Sequence, residues 1–300
     1  MATILQDLQD SVDIVKFAER CGMIEENGMK LEPKQEEILR FTGKRQLFVC
    51  CWQFGKSTLA ALKALPTAVL KAQLVLVLAP TLRQSGEVFQ KVKSFYQHCE
   101  MNLETVKDTS QELEFKNGGR IVAIPSKEGN VRGFSMPGLI VEDEAGWIPD
   151  AVRVAVGPML ARSGGELLLV STPNGRIGHF FHSWQHSQQK PGDPWVAHRY
   201  TADDCPWLHG EFLDNERYDM TEGEFLQEYY CEFQESGSAV FSLKDIEAAR
   251  ARGLSRLGVT EDELGEGNDL YEQLEFIMPD PVTRPARPAR QGARGLEISI

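Results

Sequence analysis

The chain predicts an α/β fold, a mainly parallel sheet flanked by helices, on three observations. Short apolar runs alternate with amphipathic stretches, the pattern of strands joined by crossover helices. One strand-like run leads into a helix through Gly55-Lys56-Ser57-Thr58. Other apolar runs end in carboxylates or small polar residues, at the strand ends where open parallel sheets hold their ligands. With 300 residues, 42% hydrophobic and 25% charged, the chain can bury a sizeable core.

In chain order, a helix is expected over Leu8 to Cys21, then strands at Gln46–Cys51, Gln73–Ala79, Gly138–Asp143, Glu166–Ser171 and Trp195–Thr201. Between Gln111 and Ile124, two β-prone runs flank Lys116-Asn117-Gly118-Gly119, a hairpin signal that predicts an antiparallel insertion. Thr221-Glu222-Gly223-Glu224 reads as a capping box, so a helix should begin near Thr221. Residues 1–30 form an N-terminal helical segment, 31–245 the main domain and 246–300 a tail. Glu261 to Asp280 carries eight acidic residues and no basic one, ahead of Arg-Pro-Ala-Arg-Pro-Ala-Arg at 284–290, a composition that predicts disorder.

The net charge of −12 argues against broad coating of nucleic acid, which needs clustered cations, but leaves room for a local basic strip. Apolar runs are far short of the ~20 residues of a membrane span. Met1 to Asp10 has no secretory pattern, so an intracellular protein is expected. The six cysteines show no C-x-x-C pair and read as free thiols.

The segment Cys50-Cys51-Trp52-Gln53-Phe54-Gly55-Lys56-Ser57-Thr58 carries the clearest chemistry. Backbone N–H groups from Gln53 to Thr58, at a helix N-terminus, can surround phosphate oxygens. Gly55 permits close approach, Lys56 would reach the β- and γ-phosphates, and Ser57 would hold Mg²⁺. Cys50 stands where the motif has its first glycine. About eighty residues on, Leu139-Ile140-Val141-Glu142-Asp143-Glu144 is a strand ending in carboxylates. Asp143 fits the Mg²⁺ shell and Glu144 the activation of water. Glu142 should face the other way, a solvated or salt-bridged surface carboxylate or a further catalytic acid. Leu167 to Val170 leads into Ser171-Thr172-Pro173-Asn174-Gly175, either a plain turn or a sensor of the γ-phosphate.

His179, His182 and His186 could share one face of a helix and a metal site is conceivable there, but no carboxylate or thiolate clusters with them, so core packing or a solvated stripe is expected. Trp147, Trp184, Trp195 and Trp207 are read as packing residues.

Taken together, these segments resemble the ATPase domain of phage terminase large subunits, over about residues 30 to 245. Pro33-Lys34-Gln35-Glu36-Glu37-Ile38-Leu39, Pro80-Thr81-Leu82-Arg83-Gln84-Ser85 and Phe225 to Phe233, with Val240-Phe241-Ser242 after it, extend the likeness. The resemblance implies a phosphate-loop fold of the additional-strand type, with ATP and Mg²⁺ as substrate and cofactor. It also implies Gln35 reading the adenine and Ser171, Thr172 or Asn174 coupling hydrolysis to movement. The expected partners are double-stranded DNA, a portal protein, a small terminase subunit and further copies in a ring, in the host cytoplasm.

Two departures stand out. Trp52 occupies a position where such proteins commonly carry arginine, so the missing cation is expected from a neighbouring subunit, with Arg83 or Arg132 as its source. Only roughly sixty residues follow Phe241, too few for the nuclease fold such proteins continue into, and Asp245 and Glu247 read as surface residues, so DNA cleavage is not expected. The competing functions are a nucleotide-binding regulatory homologue without efficient turnover and a helicase-like translocase.

Overall fold

The computed structural model describes residues 13–21, 23–24, 30–99, 103–189 and 194–235, all within the unit Met1–Ala239. The expected tail, 246–300, lies outside the described residues, as do Phe241, Asp245 and residues 8–12 of the helix expected from Leu8 to Cys21. Helix α1 (Ile14–Arg20) starts where Asp13 accepts from Val15 N at 3.0 Å. It buries Val15, Phe17 and Ala18 in the same core as the rest of the unit. Helix α2 (Pro33–Arg40) opens on proline, with Glu32 and Gln35 exchanging cap bonds.

The sheet and its helices follow as β1 (Arg45–Cys50), α3 (Lys56–Lys71), β2 (Leu74–Ala79), α4 (Leu82–His98), β3 (Thr105–Asp108), β4 (Glu112–Phe115) and β5 (Arg120–Pro125). Next come α5 (Glu128–Val131), β6 (Leu139–Asp143), α6 (Asp150–Ser163), β7 (Glu166–Ser171), α7 (Gly178–Gln189), β8 (Trp195–Tyr200), α8 (Glu211–Asp219) and α9 (Glu222–Tyr230). The eight strands lie in the order β3-β4-β5-β2-β6-β7-β1-β8. Pairing is parallel from β5 to β8 and antiparallel for β3–β4 and β4–β5. Strands covered on both faces need continuous apolar runs, and β1, β2, β6 and β7 supply them.

Strand β7 lies between β1 and β6, the additional strand of the expected phosphate-loop class. Its register sets Ser171 beside Val49 and Val170 beside Asp143. The carboxyl ends of the three strands therefore finish side by side. Helix α3 runs back from that edge with residues 59–70 all buried, which explains why its sequence is apolar nearly all round. Among the described residues, no helix is long and apolar enough to cross a membrane.

The expected strands match the observed ones to within a residue at each end, and Thr221 caps α9 through Glu224 N as its box predicted. The antiparallel region differs from the expectation. It has three strands rather than a lone hairpin, and β5 continues the main sheet in parallel with β2. Its turn is fixed by tertiary contact: Asn117 Nδ2 donates to the Val69 carbonyl at 2.6 Å and Gly119 N to Asn117 Oδ1 at 2.9 Å. The six cysteines are free.

A Cβ at Gly119 would overlap the Ala68 carbonyl, whereas one at Gly86 in α4 meets nothing within 4 Å. Gly119→Ala should therefore destabilise the protein by about 1–3 kcal/mol, and Gly86→Ala should stabilise it by up to ~1 kcal/mol. Urea unfolding of the two variants checks the pair, and equal effects would contradict the packing of the turn on α3.

Candidate phosphate and metal site

The loop after β1 leaves the sheet at Cys50 and turns through two left-handed residues, Gln53 (φ 60°) and Gly55 (φ 94°). Cys50 is not among the positive-φ residues, so the first glycine of the usual motif is not required here. Gly55 is the N-cap of α3 with no side-chain cap, which leaves the helix amides and the positive end of the dipole facing the loop. Neighbouring elements hold the loop in place. Cys51 N donates to the Tyr200 carbonyl at 2.9 Å and Trp52 N to the Glu228 carbonyl at 2.8 Å. Phe54 is buried and stacks on Tyr200, so its side chain packs and only its backbone is available to a phosphate.

Gln35 Nε2 donates to the Phe54 carbonyl at 2.8 Å, while its oxygen accepts from Glu32 N at 3.0 Å. The residue expected to read adenine thus also buttresses the loop, and a Cβ on Gly55 would come 2.9 Å from its amide nitrogen.

Lys56 is buried, with Nζ 3.3 Å from the Cys51 carbonyl and 3.7 Å from Glu144 Oε1. Ser57 Oγ donates to Asp143 Oδ2 at 2.9 Å. The other carboxylate oxygen, Oδ1, is buried with no protein partner. A hydroxyl from the first turn of α3 and a carboxylate at the end of β6, with an oxygen left over, are a donor set suited to Mg²⁺. Thr58 is half-buried in the first turn of α3.

Burial first, then the Glu144 charge, pushes the Asp143 carboxyl up to about 6, with Ser57, Lys56 and Lys91 pulling the other way. Lys91, on α4, had not been singled out in the sequence. Its own ammonium is lowered by burial, with the Asp143 charge opposing.

Glu144 adopts a left-handed backbone, φ 54° and ψ 47°, a costly conformation for a non-glycine residue. Ser171 Oγ donates to its Oε2 at 3.2 Å, and Asn174 Nδ2 donates to the Gly146 carbonyl at 3.0 Å. Glycine at 146 leaves room for this approach, since a Cβ there would sit 3.2 Å from Ser171 Oγ, Asn174 Cβ and the Thr172 carbonyl. The segment after β7 is therefore fastened to the turn that carries Glu144, and Thr172 lines the cleft in front of it.

That cleft, about 400 Å³, is lined by Trp52, Gln84, Glu144, Trp147, Thr172 and Glu228 among others. Arg83 is not in it. Its side chain is 88% exposed and pairs with Glu87 at 3.5 Å, so it offers nothing to the phosphate loop of its own chain. Arg132 is also exposed. Glu228, half-buried on α9 and raised above its usual range by burial, is a lining carboxylate to which the sequence reading assigned no role.

Three expectations need correction. Glu142 is fully buried, not a surface acid, because β6 is covered on both faces. His179 does meet carboxylates: its Nε2 is 2.8 Å from Glu142 Oε2 and its Nδ1 3.3 Å from Asp150 Oδ1. Both partners come from other elements, beyond any local spacing. Among the tryptophans, Trp184 stacks on Phe233, but Trp147 and Trp207 are exposed, as is Trp52.

No protein-family model matches the chain, and no curated protein does. Solved structures do. The ATPase domain of the large terminase from Thermus phage P74-26 superposes with a TM-score of 0.61 at 22% identity, over 73% of this chain and 97% of that one. The large terminase of bacteriophage HK97 gives 0.60 at 16% identity, over 75% of this chain and 55% of that one. The large terminase of a thermophilic bacteriophage, solved in complex with ADP, gives 0.55 at 11% identity, over 68% of this chain and 54% of that one. At these identities the likeness establishes the fold: the described chain has the architecture of a phage large-terminase ATPase domain.

The strain on Asp143 yields a test of the site. Its folded value of about 6 lies above the ordinary 3.8, so the neutral form is favoured by folding. The associated stability is full below pH 3.8 and is lost as pH rises through about 6. About 2 units correspond to at most ~3 kcal/mol. Asp143→Asn should therefore stabilise the ligand-free protein above pH 6, with the gap closing as pH falls toward 3.8. Chemical unfolding across that window checks this, and a gap independent of pH would refute it.

Proposed function

We propose that the chain is an ATP-hydrolysing motor that drives double-stranded DNA into a procapsid, built on the ATPase-domain fold it shares with phage large terminases. The observation that carries the reading is the convergence of Lys56, Ser57, Asp143, Glu144 and Ser171 at three adjoining strand ends. In this reading the amides of Gln53 to Thr58 hold the phosphates at the N-terminus of α3. Lys56 turns from Cys51 and Glu144 toward the β- and γ-oxygens, and the spare N–H of Gln35 meets the base. Ser57 and Asp143 would hold Mg²⁺, which would supply neutralisation of phosphate charge.

Glu144 orients the attacking water and takes up its proton. When Lys56 moves to the phosphates, Glu144 is left bonded to Ser171, so the presence of the γ-phosphate is communicated to Ser171, Thr172 and Asn174. Helix α9 follows that movement, because Gly175 N donates to Gln227 Oε1 at 3.3 Å and Glu228 grips Trp52 N. The reading includes assembly of several copies in a ring at a portal, with a small terminase subunit selecting the DNA.

Because Trp52 carries no charge, the cation that stabilises the transferring phosphoryl group comes from a neighbouring copy. Arg83 is the proposed source: it is exposed at the start of α4, one residue from the cleft-lining Gln84.

Lys56→Ala should abolish most turnover. Glu144→Gln should retain ATP binding while hydrolysis falls by roughly 10²–10⁴-fold. Phosphate-release assays with and without DNA and portal decide between a motor and a nucleotide-binding regulator, the latter predicting no turnover in the parent protein. If Arg83 acts across an interface, Arg83→Ala chains mixed with Lys56→Ala chains should regain activity that neither has alone, by an order of magnitude or more given the ~10³–10⁵-fold worth of such an arginine. Full turnover by a verified monomer would defeat the trans arrangement.

A further inference from the structure

Strand β6 uses both of its faces. Asp143 faces the phosphate loop, and Glu142, one residue earlier, must project to the opposite side. There its carboxyl is fully buried, and its described partner is His179 Nε2 at 2.8 Å. His179 is itself buried in the first turn of α7. Its backbone N–H donates to Asp150 Oδ1 at 2.7 Å, and its Nδ1 lies 3.3 Å from the same oxygen. Asp150 opens α6, directly after the turn that carries Glu144. A ring facing carboxylate oxygens from both nitrogens satisfies both as the doubly protonated imidazolium.

These bonds complete a frame. On the front, Ser171 and Asn174 tie the segment after β7 to Glu144 and Gly146. Behind, His179 ties the start of α7, four residues beyond Gly175, to β6 and to α6. We propose that His179 is a positioning residue: through Glu142 and Asp150 it holds the segment after β7 in register with Glu144, so that the water-orienting carboxylate is aimed correctly. It touches neither phosphate nor water and acts only through these neighbours. Burial opposes the charge on its ring, but the hydrogen bonds and charges of Glu142 and Asp150 outweigh that and raise its pKa. Asp150 is exposed, but the Glu142–His179 bond is buried and Glu142 Oε1 has no partner, so removing the ring would leave that carboxyl without any described partner, a costly change.

The inference rests on Glu144 acting in hydrolysis, and its test separates the two claims. His179→Ala should lower kcat by about 10- to 100-fold, the size expected from a small misplacement near the chemistry, while KM and the affinity for a fluorescent ATP analogue change less than about twofold. His179→Gln, which can still donate to Glu142, should recover part of the loss. Combining His179→Ala with Ser171→Ala should cost less than the product of the single effects, since both loosen the same frame. Independently of turnover, amide exchange at Trp147 and Gly175 should quicken in His179→Ala while the β2–β5 region keeps its protection. If the parent protein hydrolyses no ATP, the proposed function fails and the exchange experiment alone judges the frame. Unchanged exchange, unchanged kcat in a folded variant, or a loss shared equally between kcat and KM would overturn the positioning role.

Discussion

The parallel pairing of β7 between β1 and β6 is the constraint on which the rest of the site depends. It sets Ser171 beside Val49 and Val170 beside Asp143, so three chain segments far apart in sequence end on one line. The Ser57–Asp143 hydrogen bond at 2.9 Å can then form across the front of the inserted strand. A strand slipped by one residue would turn every side chain to the opposite face, exchanging Asp143 for Glu142 at the loop and destroying the donor set. The continuous burial of these strands therefore fixes the register that brings Ser57 and Asp143 together.

Around that line the protein accumulates local costs. Asp143 is buried with an unpartnered oxygen, Glu144 sits in a left-handed conformation, and Gln53 does the same in the loop. Such strain persists only where surrounding structure over-determines it. The holding contacts are visible in Cys51 N to Tyr200, Trp52 N to Glu228 and Gln35 to Phe54. The loop's backbone is thus held by the chain's own contacts.

Helix α9 has a role beyond closing the core. It contacts the loop through the Glu228 carbonyl and the segment after β7 through Gln227, and Arg176 Nε reaches the Phe233 carbonyl at 2.9 Å. The loop and the segment after β7 thereby both attach to this helix and the residues that follow it.

Much of this was written in the order of residues. The apolar runs located the strands, Gly55-Lys56-Ser57-Thr58 located the loop, and the carboxylates after Val141 located their partner, because each of these signals is local: period, turn chemistry or helix capping. What the sequence could not decide were the contacts between distant segments. Nothing in the sequence shows that Cys50 can stand for the motif's first glycine; the backbone does, by placing its left-handed turns at Gln53 and Gly55. That Arg83 is turned to solvent and paired with Glu87 follows from how its helix packs on the sheet. Glu142 and His179, thirty-seven positions apart, looked unrelated, and so did Gln35 and Phe54. Their meetings are set by which strand pairs with which and which helix covers which face, a property of the folded sheet that no local pattern along the chain encodes.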